Sequence, residues 1–166
     1  MEHPALKRII FIGDCQVGKT SIIHRYKQRT FSEPYVPTYG LDFYSLGIER
    51  NEEIVHLQIW DSSGSPRFIN QIKNYMSNSE IIVVIYDIQN RQSFENTIFW
   101  IEKQIDRNMQ HKLFIVGNKS DPGAQERVFW EEGSIRAKQY NAFFMEVSSK
   151  SGENINHLFQ CLAFSI

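Results

Sequence analysis

The chain has 166 residues, of which 42% are hydrophobic and 22% are charged, and its formal net charge is −1. This length predicts one domain with a sizeable core, and the near-neutral charge gives no reason to expect nucleic acid or a general membrane surface as a partner. Cys15 and Cys161 suggest no disulfide framework, and the histidines do not cluster with them at metal-ligand spacings. No apolar run approaches about 20 residues and no signal peptide opens the chain, so we expect a soluble protein of the cytoplasm.

Short apolar runs alternate with amphipathic stretches along the chain. Six strands are predicted at residues 7–12, 41–50, 54–60, 81–87, 112–118 and 142–147, and five helices at residues 18–27, 66–74, 92–107, 130–140 and 155–164. The fourth and fifth strands are largely continuous apolar runs, which is typical of strands covered on both faces. The second and third alternate in polarity around Asn51-Glu52-Glu53, which predicts a hairpin. The pattern predicts an α/β fold with a six-stranded, mostly parallel, doubly wound sheet and one antiparallel hairpin.

A glycine-rich segment, residues 13–20 (Gly-Asp-Cys-Gln-Val-Gly-Lys-Thr), directly follows the first predicted strand. Gly13 and Gly18 allow the tight turn in which successive backbone N–H groups point at phosphate oxygens. Lys19 can reach the β- and γ-phosphates of a nucleotide, and the Thr20 hydroxyl can ligate Mg²⁺. The helix predicted after the loop aims the positive end of its dipole at the same anion. The segment and its context therefore predict a phosphate-binding loop.

Three more polar segments follow predicted strands, at residues 61–64 (Asp-Ser-Ser-Gly), 118–121 (Asn-Lys-Ser-Asp) and 148–150 (Ser-Ser-Lys). In sheets of this kind the ligand binds beyond the carboxyl ends of the strands. We therefore expect these segments and the phosphate loop to form a single site.

The segment at residues 61–64 can serve the phosphates and a metal. Asp61 can hold Mg²⁺ through water, and the Gly64 N–H can approach a γ-phosphate. Taken alone, Asp-x-x-Gly is more typical of an ordinary turn. Its position relative to the phosphate loop is what favours the metal role.

The segment at residues 118–121 can recognise a base. Asp121 can accept two hydrogen bonds from the ring N–H and the exocyclic NH₂ of guanine, a pair that adenine does not offer. The wrong base would leave a buried carboxylate unpaired, which is costly. Asn118 would tie the loops together, and the Lys119 stem could cover one face of the ring. Taken alone, the segment is equally typical of a loop before Pro122-Gly123.

The order of these four segments resembles that of the Ras superfamily of small GTPases, and the chain is most similar to the Rab branch. Residues 38–43 (Thr-Tyr-Gly-Leu-Asp-Phe) resemble the Rab stretch Thr-Ile-Gly-Val/Ile-Asp-Phe. Residues 60–68 (Trp-Asp-Ser-Ser-Gly-Ser-Pro-Arg-Phe) resemble Trp-Asp-Thr-Ala-Gly-Gln-Glu-Arg-Phe, and residues 146–150 resemble Glu-Thr-Ser-Ala-Lys. Residues 132–133 and 137–138 add a likeness to Golgi-type Rabs. The resemblance implies a P-loop GTPase domain over residues 1–166 that binds GTP or GDP with Mg²⁺, hydrolyses GTP and regulates vesicle traffic.

The resemblance also implies roles for single residues. Phe31 would pack edge-on against guanine, Tyr35 would close over the nucleotide, and the Ser149 backbone N–H would meet the guanine carbonyl. The aromatic residues that Rabs present to effectors correspond to Phe43, Trp60 and Tyr75, which also fit core packing. The implied nucleotide-binding residues are Gly13, Asp14, Cys15, Gln16, Val17, Gly18, Lys19, Thr20, Ser21, Phe31, Tyr35, Thr38, Gly64, Asn118, Lys119, Asp121, Ser148, Ser149 and Lys150. The implied metal ligands are Thr20, Asp61 and, when a γ-phosphate is present, Thr38, and the catalytic positions are Lys19, Gly64 and Ser65.

Residues 65 and 66, in the segment that corresponds to the second switch of the family, depart from the family pattern. Ser65 stands where Ras-type proteins carry the glutamine that orients the attacking water, and serine is too short to bridge that water and a γ-phosphate oxygen. We therefore expect slow GTP hydrolysis, and Pro66 would stiffen the switch by starting a helix. The side chains of Cys15 and Gln16 could exclude an arginine finger, although TBC-type activators of Rabs supply both Arg and Gln in trans. The alternative is a GTP-locked pseudo-GTPase that serves as an interaction module.

A small P-loop kinase is an alternative from another class, but it would need an arginine-rich lid and an acceptor site. The expected partners are effectors that bind the switches, an exchange factor and a TBC-type activating protein. We expect a monomer that binds no nucleic acid. Because the chain ends within the last predicted helix and Cys161 fits the core, we expect that a prenylated tail is missing. With that tail the protein would be peripheral on Golgi or endosomal membranes.

Overall fold

A six-stranded sheet runs through the protein, as seen in a computed structural model that describes residues 5–33, 35–106, 110–125 and 127–164. Its strands are β1 (Ala5–Ile12), β2 (Leu41–Arg50), β3 (Glu53–Ser62), β4 (Ile81–Asp87), β5 (Lys112–Asn118) and β6 (Phe143–Glu146). They are hydrogen-bonded in the order β2-β3-β1-β4-β5-β6, and β2 is antiparallel to β3 while the other neighbours are parallel. The predicted α/β sheet with one antiparallel hairpin is confirmed.

The hairpin differs from its prediction at both ends of β3. The turn contains two residues, Asn51 and Glu52, both with positive φ, as the tight turns that match strand twist require. Glu53 therefore belongs to β3 and pairs with Arg50. At the other end β3 continues to Ser62, because β2 pairs with it as far as Leu41. Asp61 consequently lies inside the strand, held by the ladder.

Helices cover both faces of the sheet. They are α1 (Lys19–Gln28), α2 (Ile69–Ser77), α3 (Arg91–Glu95), α4 (Thr97–Phe99), α5 (Trp130–Gln139) and α6 (Ile155–Phe164). A 3₁₀ turn, Pro66–Phe68, precedes α2, so the helix predicted at residues 66–74 begins in tighter form.

The prediction of one continuous helix at residues 92–107 is wrong. Asn90 caps α3 by accepting a hydrogen bond from the Ser93 N–H, and Asn96 separates α3 from α4. A π-helical turn, Trp100–Gln104, follows directly. Arg107 lies outside the described residues. The apolar periodicity was compatible with one helix, but Asn96 and Trp100 bond to the phosphate loop, as described below.

Two apolar cores flank the sheet. On one face α1 and α6 pack against β1 and its neighbours through side chains such as Ile22, Ile23 and Phe159. On the other face α2, α3 and α5 contribute Ile72, Phe94 and Ala137. All seven residues of β4 are buried between these layers, as its continuous apolar run predicts. In the described part of the chain, no helix has the length and apolar character needed to cross a membrane.

Candidate functional site

A cavity of about 510 Å³ lies where the polar segments after β1, β3, β5 and β6 meet. Its volume is within the range of small-molecule sites. The predicted residues that line it are Gln16, Gly18, Lys19, Thr20, Ser21, Phe31, Tyr35, Thr38, Lys119, Asp121, Ser149 and Lys150. The remaining predicted residues are not among those that line it: Gly13, Asp14, Cys15, Val17, Asp61, Gly64, Ser65, Asn118 and Ser148.

Two glycines of the phosphate loop lie where no side chain fits. At Gly13 (φ +138°) an added Cβ would lie 2.2 Å from the backbone oxygen of Ile85, and at Gly18 (φ +94°) it would lie 2.3 Å from Asn118 Nδ2. The loop therefore packs closely against β4 and the last residue of β5. Because α1 begins directly after Gly18, its N-terminal N–H groups face the cavity and suit an anion.

Lys19 is a buried cation, 5% exposed, at the base of this loop. Its ammonium donates to the carbonyl oxygens of Gly13 (2.9 Å) and Asp14 (2.6 Å). Burial lowers its pKa to about 8, although Asp61 acts in the opposite direction. Both acceptors are neutral, so a phosphate group would supply the opposite charge that this buried ammonium needs.

Three oxygens that could hold a metal meet beside Lys19. The Thr20 hydroxyl lies 2.9 Å from the Thr38 hydroxyl and donates to Asp61 Oδ2 at 2.5 Å. Asp61 is fully buried, and its Oδ1 makes no hydrogen bond with any described residue. Burial raises the pKa of Asp61 to about 6, against the lowering effect of the Thr20 hydrogen bond and Lys19. A buried carboxylate with an unsatisfied oxygen, next to two hydroxyls, fits a hard cation such as Mg²⁺.

This oxygen set is incomplete by itself. It contains one carboxylate, and the described residues include no group of three His, Cys, Asp or Glu side chains that could hold a metal. Mg²⁺ usually keeps several waters and combines one or two carboxylates with substrate phosphates. Thr20, Thr38 and Asp61 therefore fit a magnesium ion whose remaining ligands come from a bound polyphosphate and water.

Asn118 joins the phosphate loop to the loop after β6. Its Nδ2 donates to the Val17 carbonyl (2.9 Å) and to the Ser149 hydroxyl (3.3 Å), and its Oδ1 accepts the Ser149 N–H (3.1 Å). This last bond differs from the expected direct meeting of that N–H with a guanine carbonyl. The Ser149 N–H already has an acceptor, so a base carbonyl would have to share it or replace that acceptor.

Asp121 and Lys119 line the side of the cavity that is formed by the loops after β5 and β6. The Ser148 hydroxyl donates to Asp121 Oδ1, which orients the carboxylate, while Asp121 also lines the cavity. Lys119 Nζ donates to the Gln16 carbonyl (2.8 Å) and pairs with Asp87 (2.7 Å). Its aliphatic stem therefore spans from the loop after β5 to the phosphate loop, along the wall of the cavity.

The second switch, residues 61–68, packs on the phosphate loop. At Gly64 (φ +72°) an added Cβ would lie 2.6 Å from the Gly13 oxygen, so only glycine fits. The Ser63 hydroxyl accepts the Ser65 N–H (3.2 Å), and the Ser65 hydroxyl accepts the Arg67 N–H (3.4 Å). Ser65 thus caps the 3₁₀ turn instead of lining the cavity.

The outer rim of the cavity is formed by the segment between α1 and β2. Phe31 and Tyr35 line the cavity and remain partly exposed. Glu33 of this segment pairs with Lys150 of the loop after β6 at 3.4 Å. Both side chains are largely exposed, so the pair contributes little stability but bridges the two sides of the cavity.

Phe43, Trp60 and Tyr75 form one aromatic cluster beside the second switch and the segment between α1 and β2, which we call the first switch. The Phe43 and Trp60 ring centroids are 4.8 Å apart, and those of Trp60 and Tyr75 are 4.2 Å apart. Trp60 and Tyr75 pack on the second core and also line a surface groove of about 580 Å³ with Tyr39 and Phe68. The two readings of these aromatics, core packing and a contact surface, are therefore compatible.

Asn96 and Trp100 also contact the phosphate loop, a role that the sequence does not predict. Asn96 Nδ2 donates to Asp14 Oδ2 (2.6 Å), and Trp100 Nε1 donates to Asp14 Oδ1 (2.8 Å). The two donors are four residues apart, which places them on one face of a helical segment. The spacing of four residues indicates from the sequence alone that the two side chains can lie side by side. It does not identify Asp14 as their acceptor.

The geometry defines a P-loop nucleotide-binding site on a doubly wound sheet. The sequence model of the Ras family matches residues 8–166, so the chain belongs to the Ras family. It is accordingly a small GTP-binding switch, of a family whose members bind GTP and GDP, typically with Mg²⁺, and hydrolyse GTP. Members of this family generally work with effectors, exchange factors and activating proteins.

Proposed function

We propose that this protein is a Rab-like switch that regulates vesicle traffic and hydrolyses GTP slowly. The observation that carries the Rab assignment is the Phe43–Trp60–Tyr75 cluster, which connects β2, β3 and α2 between the two switches. An effector seated on this cluster would touch both switches. Its binding would therefore depend on which nucleotide is bound.

We assign roles to the site residues on the basis of their positions. Lys19 and the N–H groups at the start of α1 bind the phosphates, and Thr20, Thr38 and Asp61 would hold Mg²⁺. The cation would supply charge that stabilises the phosphates of GTP during hydrolysis. Asp121, oriented by Ser148, selects guanine, and Phe31 and Lys119 flank the base.

Base selection is tested by Asp121→Asn. We expect this variant to lose affinity for GTP and gain affinity for XTP, because xanthine carries a carbonyl where guanine carries NH₂. Competition of GTP, XTP and ATP against a fluorescent nucleotide measures this change. If ATP binds the wild type as tightly as GTP, Asp121 does not select the base.

The trafficking role is tested with two matched phenylalanines. Phe43 on β2 and Phe143 on β6 are 47% and 46% exposed, so truncating either removes similar exposed apolar area. In cells that carry a secreted reporter, excess Thr20→Asn protein should delay secretion by occupying the exchange factor in a poorly loaded state. Excess wild type should restore secretion, Phe143→Ala should restore it equally, and Phe43→Ala should not. Equal rescue by both alanine variants would remove the basis for an effector surface at Phe43.

A GTP-locked interaction module is the second candidate. The hydrogen bond from the Arg67 N–H to the Ser65 hydroxyl favours it, because the only side chain at the water-orienting position is turned toward the helix start. Single-turnover hydrolysis with an excess of protein over GTP separates the candidates. Measurable GDP formation supports a slow switch, and its absence, even with a TBC-type activator, supports the locked module.

We further propose that the protein works as a peripheral protein of Golgi or endosomal membranes, recruited by a prenylated tail. The motivation is the Rab resemblance of residues 38–43 and 60–68. Fluorescence microscopy of the tagged natural gene product tests this location. A diffuse signal that persists when the GTP-bound form is enriched would argue against membrane recruitment.

A further inference from the structure

Asp14 introduces a negative charge into a loop that binds anions. A carboxylate facing the phosphates would repel them, so its direction matters. Asp14 is not among the residues that line the cavity, although Gln16, Gly18 and Lys19 of the same loop are. Its carboxylate points instead to the other face of the loop, where Asn96 and Trp100 donate one hydrogen bond to each oxygen.

The backbone of Asp14 faces the opposite way and serves the site. Its carbonyl oxygen accepts the Lys19 ammonium at 2.6 Å. The Gly64 Cα lies so close that an added Cβ would be 2.6 Å from the Asp14 carbonyl carbon. One residue therefore connects the helical segment outside the loop with the phosphate-binding lysine and the second switch.

The donors themselves are firmly placed. Trp100 is 2% exposed and begins the π-helical turn, a widened geometry that often occurs at functional sites. The Asn96 carboxamide has a defined orientation, because its Oδ1 accepts a hydrogen bond from Gln92 Nε2 at 2.9 Å, which leaves Nδ2 for Asp14. Hydrogen bonds to an ionised acceptor are about twice as strong as neutral ones.

The helical segment that carries Asn96 and Trp100 is in turn anchored to α5. Arg136 stacks over the Phe94 ring at 3.7 Å and donates to the Phe94 carbonyl and the Thr97 hydroxyl. Phe94 and Thr97 flank Asn96 closely in the chain. The position of Asn96, and through it that of Asp14, is therefore set by packing outside the nucleotide site.

We propose that Asn96 and Trp100 are positioning residues for nucleotide binding, which act by holding Asp14 so that its charge points away from the phosphates and its carbonyl orients Lys19. We call this arrangement the Asp14 clamp. It requires only the guanine-nucleotide binding of the family and not the proposed trafficking role, so the two can fail separately.

The test exchanges donor and acceptor across the clamp. Asn96→Asp places two carboxylates against each other, while the Gln92 hydrogen bond to residue 96 is kept. The double variant Asp14→Asn, Asn96→Asp restores a hydrogen bond with its direction reversed, and the residue at position 14 can still accept from Trp100. The measured quantity is the rate at which GDP carrying a fluorescent group on the ribose leaves the protein in excess unlabelled GDP and Mg²⁺.

Asn96→Asp should release GDP about tenfold or more faster than the wild type, and the double variant should return to within about threefold. Asn90→Asp is the matched control, because it adds the same charge six residues earlier and keeps the cap on the Ser93 N–H. A rate for Asn96→Asp within twofold of wild type would overturn the proposal. A double variant as fast as Asn96→Asp, or a control that is equally fast, would also overturn it.

Trp100→Phe gives an independent variant that removes the indole N–H and keeps an aromatic ring. If Asn96→Asp cannot be purified in a folded form, Trp100→Phe tests the Asp14 clamp in its place. Release several-fold faster than wild type supports the clamp, and an unchanged rate overturns it.

Discussion

At the scale of single residues, Ser65 has a structural role. Its hydroxyl caps the turn Pro66–Phe68, and its N–H is held by Ser63. A water-orienting side chain acts mainly in the transition state, so its absence lowers turnover while affinity stays nearly unchanged. We expect Ser65→Gln to raise single-turnover GTP hydrolysis, and Ser65→Gln with Pro66→Glu to raise it further, because proline fixes the helix start.

The control for this prediction is the affinity for a non-hydrolysable GTP analogue, which should change less than threefold in either variant. If neither variant hydrolyses GTP faster than the wild type, the missing glutamine is not what limits the rate. The Cys15 and Gln16 side chains in the phosphate loop would then be the next positions to vary.

Asp61 gives a prediction that depends on pH. Its pKa in the folded, ligand-free protein is about 6, above the ordinary value of 3.8, so its contribution to stability is full below pH 3.8 and is lost as the pH rises through 6. In nucleotide-stripped protein, Asp61→Asn should therefore be about as stable as the wild type near pH 4. At pH 7 it should be more stable, by on the order of 3 kcal/mol.

Denaturant unfolding of the stripped proteins at both pH values measures this difference. Glu53→Gln is the control, since it removes a carboxylate from an exposed position on the same strand. The same Asp61→Asn variant should lose the stabilisation that Mg²⁺ gives to the GDP-bound protein. An equal stability difference at pH 4 and pH 7 would contradict the role of a buried, unsatisfied charge.

At the scale of elements, Arg136 connects α5 to α3 and α4. Its guanidinium is largely covered, stacks on Phe94 and donates to the Thr97 hydroxyl at 3.0 Å. Arg136→Met keeps an apolar stem but loses the charge and its donors, so we expect a loss of about 2–3 kcal/mol in the free energy of unfolding. Urea unfolding of the GDP-bound protein measures it.

Lys138→Met is the control on the same helix, because Lys138 is exposed. That variant should stay within about 0.5 kcal/mol of the wild type. Equal losses in the two variants would mean that the helix, and not the Arg136 contact, responds to the change.

The helices and strands also show which features of the structure could be predicted from the sequence. Apolar runs of strand length and polar strand ends locate the sheet and the cavity, because both follow from local periodicity and from the geometry of parallel sheets. The break at Asn96 and the cap at Ser65 could not be predicted in this way. Each depends on a partner that the fold brings close to the side chain. Donors four residues apart, such as Asn96 and Trp100, are also compatible with a continuous helix.

At the scale of the whole molecule, the cavity joins segments that are far apart in the chain, so a nucleotide bound there would hold them together. Removal of GDP and Mg²⁺ with a chelator should lower the melting temperature. A ligand at about 1,000 times its dissociation constant contributes about 4 kcal/mol, or roughly 8–16 °C for a chain of this size. Differential scanning fluorimetry measures the shift in melting temperature. As the control, ADP and Mg²⁺ added to the stripped protein should leave its melting temperature unchanged. A similar shift with ADP would contradict the guanine-specific site.

The parallel strand order also has a consequence for how the molecule is made. The phosphate loop follows the first strand, but Asp121 acquires its Ser148 partner only after β6 has been synthesised and has paired with β5. Pairing of strands distant in sequence is slow, since the connecting chain must first be ordered. A chain emerging from the ribosome therefore holds half of its ligand site long before the other half exists. We therefore expect nucleotide to stabilise the finished protein but not the nascent chain, which still lacks β6.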